Sequence, residues 1–93
     1  MGGFLQKQGK LSLAEPLLLR ALEGRERTLG RDHPKTLSDV NDLGALLYDQ
    51  GKLSLAEPFF RRALEGFERT LGHDHPSTLV VANSLQILLS AME

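Results

Sequence analysis

Along residues 35–49, Val40, Leu43, Gly44 and Leu47 recur at three- and four-residue spacings, which puts them on one face of a helix. From about residue 54 to residue 71 a wider apolar stripe follows: Ala56, Phe59, Phe60, Ala63, Leu64, Phe67 and Leu71. Such a stripe is core-forming, and the three phenylalanines are expected to pack against neighbouring helices rather than line a ligand box. Between the two patterns lies Gln50-Gly51-Lys52, where Gly51 can take the left-handed conformation that ends a helix. Gly72 is placed to close the second helix in turn. For the first helix, Asp32 is the expected N-cap, with Pro34 in the first turn, where a missing N–H costs nothing. For the second, Ser54-Leu55-Ala56-Glu57 has the spacing of a capping box. Pro58 then lies close enough to the start for its missing donor to be tolerated. Nothing in the pattern predicts a strand.

This pair of helices is repeated. Residues 9–50 align with residues 51–92 without a gap, a period of 42. Within it, GKLSLAEPLLLRALEGRERTLGRDHP (9–34) recurs as GKLSLAEPFFRRALEGFERTLGHDHP (51–76), differing at five of 26 positions. Ser12, Glu15, Pro16 and Gly30 give the first unit the same start and stop signals. Residues 1–8 align in frame with residues 43–50, so a partial first-type helix is expected there. The last segment, residues 77–92, reads as another first-type helix with no second helix after it. A period of this size marks stacked supersecondary units, none of which buries its apolar face alone. The expected organisation is therefore one repeat array over residues 1–93: a partial helix (1–8), unit one (9–50), and unit two (51–92), which ends on an unpaired helix. The fold class is all-α, an antiparallel helix-hairpin solenoid.

Leu43, Gly44, Tyr48, Gly51, Leu53, Ala56, Phe60 and Ala63 match the pattern of small and apolar residues in tetratricopeptide repeats. Together with the 42-residue period, the Ala-Glu-Pro followed by Arg-Arg-Ala-Leu-Glu, and the Arg-Thr-Leu-Gly-x-Asp-His-Pro-x-Thr-Leu phrase, the chain resembles the long variety of that repeat found in kinesin light chains. The family's tryptophan near the start of the first helix is replaced by Val40 and Ala82, as is common in the long variety. The resemblance implies a right-handed superhelical stack whose first-type helices line a concave groove. It also implies a protein partner, bound as an extended peptide.

Charge and composition remove other readings. The net charge is −1, from 11 basic and 12 acidic residues interspersed along the chain. No basic stripe would hold phosphates, so nucleic acid is not an expected partner. There is no cysteine, and hence no disulfide framework or thiolate metal site. No apolar run approaches the ~20 residues of a membrane span. The N-terminal residues do not show the basic segment and apolar core of a secretory signal. A cytoplasmic location is the default expectation, with no membrane partner.

Asp32-His33-Pro34 and His73-Asp74-His75 invite a metal reading, because paired imidazoles and a carboxylate are metal ligands. Yet Asp-His-Pro recurs where a helix must start, and capping explains it without a metal. No Ser-His-Asp convergence or nucleophile motif is present, and the glycines are isolated, so no enzyme activity and no cofactor are expected.

On helix 35–49, Ser38, Asn41, Ala45 and Tyr48 share the face turned away from the core. Val80, Asn83, Ile87 and Ser90 are their equivalents on the last helix. An amide offers two donors and an acceptor, so Asn41 and Asn83 can pair with the N–H and C=O of an extended peptide. They can equally brace neighbouring helices. The expected groove is Ser38, Asn41, Ala45, Tyr48, Val80, Asn83 and Ile87, with Tyr48, Val80 and Ile87 as its apolar strip. The function expected is protein–protein interaction by capture of a peptide; the alternative is a structural spacer or self-association element with no peptide ligand. Val80, Val81, Ile87, Leu88 and Met92 are expected to leave an apolar side of the last helix uncovered. At the other end, Phe4 and Leu5 are not expected to cover Leu17, Leu18 and Leu22 fully. Exposed terminal helices make homo-oligomerisation a further expectation.

Overall fold

A computed structural model describes the backbone of residues 2–93 and the side chains of residues 13–93. Four α-helices follow one another: α1 (Gly2–Thr28), α2 (Pro34–Asp49), α3 (Leu53–Leu71) and α4 (Pro76–Met92). There is no strand among the described residues. Each helix packs against the next in the chain, and α2 also touches α4. The result is an antiparallel helix stack in which α1 and α3 are second-type helices and α2 and α4 first-type.

The periodic faces form the core. Leu37, Val40 and Leu43 from α2 meet Leu22 from α1, Ala63 and Phe67 from α3, and Val81 from α4. A second cluster joins Leu47, Ala56, Phe60, Leu85 and Leu88. Phe59 and Leu64 are half-buried and pack against both clusters, and Leu71 against the first. Two glycines let α2 and α3 approach closely. A Cβ at Gly44 would lie 3.0 Å from the Phe60 ring, and one at Gly66 2.6 Å from Leu37. Ion pairs connect neighbouring elements: Arg25 to Asp39 at 2.6 Å and Arg62 to Glu26 at 3.0 Å.

The helix starts differ from expectation in residue but not in place. The N-cap of α2 is His33, not Asp32, and that of α4 is His75. A residue before proline is pushed into extended backbone, and His33 sits at φ −64°, ψ 139°. From there its Nδ1 accepts the Lys35 N–H at 3.1 Å. His75 accepts from Ser77 N–H in the same way. Asp32 instead receives Arg69 at 3.1 Å. The Ser54 capping box does not form. Helix α3 begins at Leu53 after Lys52, which makes no side-chain cap. The turn before it is already closed by backbone, with the N–H groups of Gly51 and Lys52 donating to Tyr48 and Leu47. Gly51 has a φ of +80°, which only glycine adopts without strain.

The largest departure is at the N-terminal end. No break occurs at Gly9: the expected partial helix and the second helix of unit one are a single helix, with Pro16 inside it. At Gly51 the turn is held because α2 folds back and buries Leu43, Gly44 and Leu47 against α3. Two turns of helix bury too little to repay such a reversal, and continuing the helix satisfies the backbone instead. Phe4 and Leu5 lie outside the described side chains. Leu22 is covered, at 5% exposure, whereas Leu17 is 64% exposed. On α4 the uncovered apolar residues are Leu79, Val80, Ile87, Leu89 and Met92. Val81 and Leu88, expected among them, are buried because they face the α3 side.

Candidate functional site

Helices α2 and α4 lie side by side with α3 behind them. The same 3.6-residue period that sends Val40, Leu43 and Leu47 inward leaves Ser38, Asn41, Ala45 and Tyr48 on the α2 side of the cleft. The cleft holds two recesses. The first, of about 280 Å³, is lined by Ser38, Asn41 and Asp42 from α2, Pro76, Ser77, Val80 and Val81 from α4, and Phe67 at its back. The second, of about 150 Å³, is lined by Ala45, Tyr48 and Asp49 from α2, Ser84 and Ile87 from α4, and Phe60. Six of the seven expected groove residues thus come together: Ser38, Asn41 and Val80 in one recess, Ala45, Tyr48 and Ile87 in the other. Asn83 does not join them. It is exposed and lines neither recess.

The reason is register. On a first-type helix the residue equivalent to Asn41 faces forward, away from the preceding helix of its own type, so Asn83 points away from α2. The residues that α4 turns back toward α2 are Val80, Ser84 and Ile87, equivalent to Ser38, Asp42 and Ala45. Sequence reasoning missed Asp42, Ser77 and Ser84 because it followed one stripe per helix. A groove between two helices takes a different stripe from each. Asp42 and Ser84 are one period apart, a signal that could have found them.

Of the polar groups in the cleft, Asp42 and Asp49 can only accept when ionised, whereas the Ser38, Ser77, Ser84 and Tyr48 hydroxyls and the Asn41 amide can also donate. Asn41 Oδ1 is buried and makes no hydrogen bond within the protein. Partial burial at the rim holds the Asp42 carboxyl above the usual carboxylate range, and the nearby Asp39 charge adds to this, although the Asp42 residue as a whole is exposed. Asp39 itself is ion-paired with Arg25 from the far side of α2. No lysine or arginine lines either recess. The floor is apolar, made of Phe67 and Val81 in one recess and Phe60 and Ile87 in the other. Chemically this arrangement can bury an apolar side chain, accept hydrogen bonds from backbone or side-chain N–H groups, and attract positive charge. No group of three His, Cys, Asp or Glu residues able to hold a metal ion occurs among the described residues. Helix starts explain His33 and His75, and His73 pairs with Glu68 at 2.9 Å.

The tetratricopeptide repeat family model matches residues 1–69 and again residues 37–93. The chain belongs to the tetratricopeptide repeat family. Helices α2 and α3 are then one complete tetratricopeptide repeat hairpin. Helix α1 supplies the second helix of the preceding repeat, and α4 the first helix of the following one. Tetratricopeptide repeats are in general protein–protein interaction modules, and the family is typically a non-catalytic scaffold. No curated protein matches the chain. No described helix is long and apolar enough to cross a membrane.

Proposed function

We propose that the chain captures an extended peptide segment of a partner protein in the cleft between α2 and α4. The observation that supports this most is Asn41 Oδ1, buried beside the first recess with no partner in the protein. A buried polar group left unpaired costs about 1–3 kcal/mol, so a ligand N–H that reaches it removes a standing penalty. The segment that fits carries an apolar side chain for the recesses and a basic one for Asp42 or Asp49. It has no need of acidic residues, since no cation lines the cleft. The 42-residue period and its motifs favour the long, kinesin light chain-like variety and a cytoplasmic setting.

A peptide array tests this reading. The expected result is a sequence preference for apolar and basic residues, with the best peptide bound roughly tenfold or more weakly by Asn41→Ala than by the native chain. Uniform background across the array would contradict it. A second reading, self-association without a peptide ligand, is favoured by the apolar residues exposed at both ends of the stack. The two readings use different faces of α4, so they are separable.

A further inference from the structure

We infer that the cleft reads a basic segment in the polyproline II conformation, with arginine or lysine at two positions three residues apart, one side chain in each recess. This rests on the reading that the cleft captures a peptide, and it names the peptide. The cleft has a period of its own, distinct from the 42-residue repeat. Helix α2 lines the first recess with Asn41 and Asp42 and the second with Tyr48 and Asp49, each seven residues further on. On α4, Ser77 and Val80 are followed by Ser84 and Ile87, again seven residues on. Behind them α3 runs the other way, with Phe67 at the first recess and Phe60 at the second. The two recesses are therefore one site built twice. Each has an aspartate, a serine, a β-branched aliphatic wall and a phenylalanine at the back. Seven residues are two helical turns, so the copies stand ~10.5 Å apart along the helix axes.

That spacing selects the backbone of the ligand. In a β-strand, side chains on one face recur at two and four residues, ~6.7 and ~13 Å, and neither matches. A polyproline II segment brings every third side chain to the same face after ~9.3 Å. The remaining ~1 Å is within the swing of a long, flexible basic side chain. The N–H groups of such a segment make no internal hydrogen bonds, so one is available to Asn41 Oδ1, which is buried at the first recess without a partner. An α-helix also repeats on one face after ~10.5 Å, but its interior N–H groups are already bonded within the helix. The chemistry of each recess selects the side chain. Phenylalanine with valine or isoleucine suits a methylene stem, and an aspartate at the rim suits a positive head. Neither Asp42 nor Asp49 is ion-paired among the described residues, and both are exposed. Partial burial and the Asp39 charge hold the Asp42 carboxyl above its usual range, and a cation beside it would bring it down again. The apolar and the basic requirement of the captured segment thus fall on the same side chain, twice.

The test is fluorescence anisotropy with labelled peptides of proline and alanine that carry two arginines, their separation varied from two to seven residues. Separation by three should bind most tightly, roughly tenfold or more above separations of two and four, each of which loses one anchor. Asp42→Asn and Asp49→Asn should each weaken the best peptide by roughly tenfold. Either variant should weaken a one-arginine peptide by no more than about twofold, because that arginine can use the other recess. Both aspartates are exposed, so circular dichroism should show the variants as helical as the native chain. Equal affinity at every separation would overturn the inference. So would tightest binding at seven by a peptide that turns helical, or leucines that bind as tightly as arginines at the same spacing. Each of these three results leaves peptide capture standing. A chain that shows no preference among peptides of any sequence would overturn capture itself, and this inference with it.

Discussion

Thr36 and Thr78 stand one period apart and are equally buried, yet only one of them is paired. The Thr78 hydroxyl donates to the Gly72 carbonyl at 2.8 Å, whereas the Thr36 hydroxyl has no partner. Valine has nearly the same shape, so Thr78→Val should cost about 1 kcal/mol in urea unfolding, and Thr36→Val should be neutral or stabilising. Equal losses at both sites would mean that Thr36 has a partner of its own. Asp42 gives a pH-dependent expectation. Its raised value means the folded chain holds that proton more tightly than the unfolded chain does. Its contribution is therefore favourable below the ordinary aspartate value of about 3.9 and is lost as pH rises through the higher, folded value. Asp42→Asn should be more stable than the native chain at pH 7, an advantage that disappears near pH 3 in unfolding curves taken across that range. At this scale the sequence is only partly legible. Asp-His-Pro marks where α2 and α4 start, but which side chain caps them depends on the extended backbone that proline imposes on His33 and on the competing pull of Arg69 on Asp32.

The helices themselves are the most legible level, because each interior face follows the 3.6-residue period. Val40, Leu43, Gly44 and Leu47 are all buried, as are Ala56, Phe60, Ala63 and Phe67. Gly51 and Gly72 end their helices at positive φ. What local pattern cannot show is whether a helix has a neighbour. Gly-Lys-Leu-Ser reads identically at residues 9–12 and 51–54, yet it makes a hairpin turn only at the second site, where α2 is long enough to pack back on α3. The same contrast predicts opposite effects of one substitution. Gly24→Ala meets open space and should stabilise by up to about 1 kcal/mol through helix propensity. Gly66→Ala gains the same propensity but drives a methyl against Leu37, which is fully buried, and should be destabilising by about 1–3 kcal/mol. Ala63→Leu, at 0% exposure, belongs to the same class and should lower the melting temperature. A melting temperature equal to that of the native chain at either of these two sites would show that the α2–α3 register is wrong.

For the whole molecule, the 42-residue repeat makes the architecture and most of the cleft legible in the sequence. Six of the seven expected residues line it, because helices of one type must lie side by side in such a stack. Asn83 lines neither recess, since it faces away from α2, and Asp42, Ser77 and Ser84 were missed, since they face across the cleft from different stripes. The cation-free lining and the unpartnered Asn41 oxygen appear only once α2 and α4 are brought together. The claim that this cleft is the binding surface can be tested by amide chemical-shift mapping of the 15N-labelled chain titrated with the best peptide from the array. The shifts are expected to cluster at Ser38, Asn41, Asp42, Tyr48, Val80, Ser84 and Ile87, and to be lost in Asn41→Ala. Shifts confined to α1 or to the outer face of α3, with the cleft silent, would contradict the account.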